Sequence, residues 1–114
     1  MSSPISLLVV PVKDLARAKA LYAQLLGVAP YADEPYYVGF RVGEQEIGLD
    51  PNGHARGLTS AVPYWPVDDV RASLRQLLEA GAAQCQDVSE VGGGKLIAIV
   101  ADPDGQPIGL VQSP

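Results

Sequence analysis

His54 and Cys85 are the residues in this chain best suited to nucleophile or base chemistry, and each type occurs once. Nucleophilic catalysis needs a base oriented beside the attacking group. His54 falls next to Gly53 in a connecting loop, and Cys85 lies between Gln84 and Gln86 in a strand pattern. Nothing in those positions brings the two together. His54 reads as a solvated loop histidine and Cys85 as an inert, half-buried thiol. Gly92-Gly93-Gly94 lacks the Lys-Ser or Lys-Thr pair and the following helix of a phosphate loop, so it reads as a turn. The stronger signal is aromatic: Tyr36, Tyr37, Phe40, Tyr64 and Trp65 fall on two strand patterns. Such rings stack on flat ligands, and a tyrosine or tryptophan tip adds a hydrogen bond. For any one of them, ordinary packing is the commoner role.

The elements that must position these groups come in two copies. Pro11-Val12-Lys13-Asp14-Leu15-Ala16-Arg17-Ala18 returns as Pro66-Val67-Asp68-Asp69-Val70-Arg71-Ala72-Ser73, an offset of 66 − 11 = 55 residues in a chain of 114. Each copy ends an apolar run and opens a helical pattern. Asp14 and Asp69 stand where an N-cap carboxylate would accept free helix amides. Leu15, Ala18, Leu21, Tyr22, Leu25 and Leu26 recur at helical spacing, as do Val70, Leu74, Leu77 and Leu78. Gly27 and Gly81 mark the two helix ends.

The remaining segments read as strands. Ile5 to Val12, Tyr36 to Val42 and Gln45 to Asp50 serve the first half, with a weak strand over Val28 to Asp33. Ala61 to Val67, Ala82 to Val88, Lys95 to Ala101 and Gln106 to Gln112 serve the second. Asp102-Pro103-Asp104-Gly105 is a turn in which Pro presets one dihedral and Gly permits another. The expected fold class is α+β, two tandem βαβββ modules. Module one spans about residues 4–50, a linker about 51–60, and module two about 61–114. The first, fifth and seventh strands do not alternate apolar with polar, so both sheet faces need cover. A curled mixed sheet enclosing an apolar cleft meets that need, and so does a partner subunit.

Length and composition fit one globular domain, 47% hydrophobic and 18% charged. The formal net charge is −5, with 8 Lys and Arg. That excludes the basic face expected of a nucleic-acid binder; it suits a neutral or cationic small partner, but acidity is more often simply a solubility device. A single cysteine allows no intrachain disulfide and fits a reducing cytoplasm. No basic signal region and no membrane-length apolar stretch is present. The expectation is a cytoplasmic protein bound to neither membrane nor nucleic acid.

The doubled βαβββ unit, the paired corners, Leu26-Gly27, and Asp102-Pro103-Asp104-Gly105 before Ile108-Gly109-Leu110-Val111 resemble the vicinal-oxygen-chelate superfamily. It groups glyoxalase I, extradiol dioxygenases, fosfomycin-resistance enzymes and bleomycin-resistance proteins. The resemblance implies two modules around a shared cleft, and a homodimer. Its enzymes hold a divalent metal through first-strand and last-strand side chains of each module. The matching positions here are Leu7, Gly48, Val62 and Gly109, where metal-binding members carry His, Glu or Gln. A Lewis-acid site needs three or four N, O or S donors, and a methyl group or bare Cα has no lone pair. Asp50, two residues beyond Gly48, is the one carboxylate nearby, and one carboxylate does not make a metal site.

Strand alternation places Leu7, Val9, Gly48, Asp50, Val62, Tyr64, Gly109 and Val111 on one side, with the two glycines widening the cleft. The candidate ligand contacts are Leu7, Tyr37, Phe40, Gly48, Asp50, Val62, Tyr64, Trp65, Gly109 and Val111. Trp65 belongs with them only if a bulge turns it from the helix layer. No catalytic residue, metal ligand or cofactor is assigned. The reading is a metal-free small-molecule binding protein of the glyoxalase/bleomycin-resistance type, leaning away from catalysis, with an aromatic or cationic ligand that could be a drug. The alternative is a glyoxalase- or dioxygenase-like metalloenzyme, a lyase, isomerase or oxidoreductase with non-standard ligands, for which Asp50 is the first suspect.

Overall fold

A computed structural model of the chain describes residues 3–114. Its order of elements is β1 (Leu7–Pro11), α1 (Leu15–Leu26), β2 (Ala32–Glu34), β3 (Tyr37–Val42), β4 (Gln45–Asp50), a 3-10 turn (His54–Arg56), β5 (Val62–Pro66), α2 (Val70–Glu79), β6 (Ala83–Glu90), β7 (Leu96–Ala101) and β8 (Pro107–Gln112). This is the expected α+β order, βαβββ twice. The chain divides into two compact units, one of residues 6–62 and one of residues 63–114 with residues 3–5.

In the first unit β2, β3 and β4 pair antiparallel in sequence order, and β1 pairs with β4 in parallel. The corner after β1 has a local cause. Asp14 is extended, and its Oδ1 accepts the Arg17 amide at 3.1 Å. That satisfies a donor the new helix cannot satisfy itself. Gly27 stops α1 in the left-handed region, and its N–H reaches the Ala23 carbonyl. Leu15, Ala18, Tyr22 and Leu26 of α1 pack on Val38, Phe40 and Leu49 of the sheet. Those three are almost fully buried.

The second unit repeats the plan. β6, β7 and β8 pair antiparallel, and β5 pairs with β8 in parallel. Asp69 Oδ1 accepts the Ala72 amide at 3.1 Å, and the Val70 amide donates to Gln112 Oε1 at 2.8 Å, tying α2 to the last strand. Val70 and Leu74 pack with Ala98, Val100 and Leu110. In the Asp102 turn the carboxylate accepts the Asp104 and Gln106 amides, both at 2.9 Å. Gly92, Gly93 and Gly94 all have positive φ, which explains a run that only glycine tolerates. Among the described residues no helix is long and apolar enough to cross a membrane.

Two sequence expectations shift. The weak strand over Val28 to Asp33 is only Ala32–Glu34. The strand expected over Ala82 to Val88 runs on to Glu90, with register breaks between Gln84 and Gln86 and between Gln86 and Ser89. Cys85 is the unpaired residue at the first break and is exposed, not half-buried. A bulge disrupts the alternation used to place it.

The two caps carry a quantitative expectation. Asp14→Ala and Asp69→Ala should each lower unfolding free energy by about 1 kcal/mol. Urea midpoints should fall without a change in slope; an unchanged midpoint would show that the caps contribute nothing.

Candidate functional site

In the first unit, cross-strand register sets which side chains share the sheet face away from α1. Leu7, Val9 and Pro11 pair with Glu46, Gly48 and Asp50, while Gly39 and Arg41 pair with Gly48 and Glu46. Tyr37 joins this face by alternation, and Tyr31, just before β2, reaches it from a loop. Gly48 sits among them. A Cβ built there would lie 2.1 Å from the Tyr37 hydroxyl and 2.6 Å from its ring carbon. Tyr31 stands over Gly39 in the same manner, 3.0 Å from the corresponding position. The glycine at a presumed ligand position is therefore roofed by a phenol, and it does not widen a cavity as its sequence suggested.

Polar groups surround that phenol. Tyr31 donates to Glu46 Oε2 at 3.4 Å, and Arg41 pairs with Glu46 Oε1 at 2.8 Å while stacking 4.3 Å from the Tyr31 ring centre. Tyr37 donates toward the Tyr31 hydroxyl. Burial is the main cause that pushes the Tyr37 phenol well above its ordinary range. The Tyr31 and Glu46 charges and its bond to Tyr31 add to it. Tyr31 is raised too, first by burial and then by Glu46, with Arg41 opposing. Tyr37 is thus a hydrogen-bond donor that stays protonated throughout the physiological range.

Asp50 lies at the end of the same face, 8% exposed. Its Oδ1 accepts the Asn52 amide at 2.8 Å and its Oδ2 pairs with Arg56. The loop that delivers Arg56 is held close. A Cβ at Gly53 would come 2.7 Å from Pro11 Cβ, so glycine permits the turn to press on β1. His54 is not the solvated loop residue expected. It is half-buried, and its Nδ1 is out of solvent without a hydrogen-bond partner.

The second unit presents an apolar counterpart. Tyr64 pairs directly with Gly109 in the β5–β8 register, and Val111 and Ile99 share their face. A Cβ at Gly109 would lie 2.5 Å from Tyr64 Cδ1 and 2.7 Å from Cγ. Tyr64 and Val111 are nearly buried; Val62, the last residue of the first unit, is fully buried.

The sequence-derived candidates divide accordingly. Leu7, Tyr37, Gly48 and Asp50 do come together in the first unit, and Tyr64, Gly109 and Val111 in the second. Phe40 does not join them. It is 0% exposed beneath α1, because three positions separate it from Tyr37 and an odd step along a strand reverses the face. Trp65 pairs with Leu110 without a bulge and lies on the α2 side. Sequence reasoning missed Tyr31, Arg41, Glu46 and Arg56. The signal available was the odd-numbered placement of Tyr37, Gly39 and Arg41 on one strand.

These groups do not fit the divalent metal that the fold implies. Leu7, Gly48, Val62 and Gly109 offer no donor, and Asp50 is engaged by Arg56 and Asn52. Among the described residues no three His, Cys, Asp or Glu side chains converge.

The sequence profile of the glyoxalase-like domain family matches residues 7–111, and the chain belongs to that family. No curated protein matches it in sequence. The fold is shared with a Legionella pneumophila protein described as an NAD-dependent benzaldehyde dehydrogenase, at 18% identity and a TM-score of 0.77, over 95% of this chain and 98% of that one. It is also shared with a glyoxalase/bleomycin resistance protein/dioxygenase superfamily member from Vibrio splendidus, at 13% identity and 0.71, over 94% and 97%. A Mn(II)-bound glyoxalase from Novosphingobium aromaticivorans matches at 20% identity and 0.72, over 97% of this chain and 39% of that one. Likeness at these identities carries the fold, not the chemistry.

Two outcomes follow from the packed glycines and the buried phenol. Gly109→Ala should cost about 1–3 kcal/mol, since the root of the Tyr64 ring cannot yield. Gly48→Ala should cost less, because the far end of Tyr37 can swing, and in a Tyr37→Ala background its cost should vanish. An unchanged cost there would break the link. For Tyr37 the folded pKa exceeds the unfolded one, so its stabilisation is complete below about pH 10 and is lost as pH rises above it. Ultraviolet titration should find late-appearing tyrosinates, those of Tyr37 and Tyr31 among them, with urea stability falling over the same alkaline range. Five tyrosines titrating together would contradict this.

Proposed function

We propose that this glyoxalase-like domain binds a small aromatic molecule without a metal, using the tyrosine-lined sheet faces in place of coordination chemistry. One observation carries the reading: phenol rings stand over Gly48 and Gly109, two of the positions that the family resemblance assigns to metal donors. The half-buried Tyr37 phenol, whose proton points to Tyr31, offers a ring face and an oxygen that can accept a hydrogen bond. Arg41, Glu46, Asp50 and Arg56 pair with one another in the first unit, so they orient a polar ligand edge without demanding a charged ligand. The acidic balance of the chain favours a neutral or cationic ligand over an anion.

The same reading takes the chain as a homodimer. Leu21 and Leu25 lie one helical turn apart on α1 and are 68% and 73% exposed. A second copy that covered them would remove apolar surface from water.

The test begins with elemental analysis of the purified protein, followed by calorimetric titration of aromatic compounds before and after chelation. The expected result is a substoichiometric metal content and at least one ligand whose affinity is unchanged by chelation. That affinity should fall about tenfold in Tyr37→Ala, the order expected for a lost ring contact and hydrogen bond. Sedimentation should give a dimer. Stoichiometric Zn, Ni, Mn or Fe, with binding lost on chelation, would instead favour the metalloenzyme.

A further inference from the structure

A groove of about 960 Å3 lies in the second unit, on the α2 side of the sheet and away from the Tyr64 face. Trp65, Leu77, Ile108 and Leu110 give it apolar and aromatic walls, and Asp68 and Asp69 stand at its α2 end. No lysine or arginine lines it. We propose that this groove is a second binding site, for an organic ammonium with an aromatic or aliphatic body.

The charge argument comes from the site itself. A helix N-terminus ordinarily attracts anions through its free amides. Here the Val70 amide donates to Gln112, the Ala72 amide to the Asp69 side chain, and the Ser73 amide to the Asp69 carbonyl. Three of the four first-turn amides an anion would need are taken. Asp68 is exposed and free of any ion pair among the described residues, so its carboxylate is available to a cation. An indole face beside a carboxylate is a favourable setting for an ammonium, through ring quadrupole and opposite charge together.

The internal repeat supplies an independent comparison. At the offset of 55 residues, Trp65 replaces Val10, Asp68 replaces Lys13 and Ala72 replaces Arg17. The proline, the valine after it and the capping aspartate are retained as Pro66, Val67 and Asp69. The corner needed for folding is unchanged. Among the groove-lining positions the difference is the loss of two cations and the gain of one carboxylate and one indole; Arg71, which replaces Ala16, does not line the groove. The difference is the one that turns a surface hostile to a cation into one that attracts it.

Trp65 is the sole tryptophan, so its emission and its indole N–H resonance both report on the groove directly. The probes are benzyltrimethylammonium, neutral benzyl alcohol and anionic benzenesulfonate, each titrated into the full chain after chelation. The expected result is a saturable shift of both signals by the ammonium, with an affinity about tenfold above that of benzyl alcohol. Benzenesulfonate should give no shift. Asp68→Asn should weaken ammonium binding about threefold or more, the scale of one partly screened charge. Ala72→Arg, which restores the first-module cation, should abolish it with the fold intact by circular dichroism. Tyr37→Ala should leave it unchanged, so this site and the tyrosine-lined faces succeed or fail separately. The proposal is overturned by the absence of a saturable shift up to about 10 mM, a bound below even weak millimolar binding. Equal binding of benzyl alcohol, or an unaltered affinity in Asp68→Asn, would overturn it too.

Discussion

The close approach of a tyrosine ring to a bare backbone, once in each module, is the constraint on which this structure turns. Gly48 and Gly109 lie on the strands that close each unit through a parallel pairing, β4 with β1 and β8 with β5. Any side chain at either position would collide with Tyr37 or Tyr64. The rings in turn cover backbone that glycine leaves unprotected, which is how an aromatic neighbour stabilises a glycine within a sheet. Glycine and tyrosine are therefore interdependent. Neither can be read as a ligand position without the other.

That packing separates what the two modules inherit from what they do. Both keep the extended corner, the aspartate cap, the apolar face on the helix and the glycine beneath a ring. Around the ring, chemistry diverges. Module one places a half-buried phenol among paired charges, where desolvation holds its proton and neighbouring acids tighten it further. Module two places Tyr64 beside Ile99 and Val111, while further polar groups lie by α2. Folding holds the corner and its cap alike in both, and the residues around them differ on both sheet faces.

Much of this was legible in the letters. The repeat of Pro-Val-x-Asp, the helical spacing of the leucines and the Asp102 turn fixed the order of elements, because local physics decides caps, turns and amphipathic faces. What escaped was whatever depends on cross-strand neighbours. Gly48 looked like empty space because the ring that fills it comes from β3, eleven residues earlier. Phe40 looked like a site residue because aromaticity was weighed before strand parity. Arg56 was invisible as a partner of Asp50 until Gly53 let the loop turn back onto Pro11. Cys85 was misplaced because a bulge has no reliable single-sequence signature.

The central claim is that phenol rings pack onto the bare backbone of Gly48 and Gly109. Proton–proton nuclear Overhauser contacts test it without reference to any ligand. The account predicts strong cross-peaks from the Gly48 α-protons to the Tyr37 ring and from the Gly109 α-protons to the Tyr64 ring, unaltered by added Mn(II) at concentrations that saturate a specific site. Glycine α-protons lacking ring contacts, or cross-peaks erased by a stoichiometric paramagnetic ion bound beside them, would contradict it.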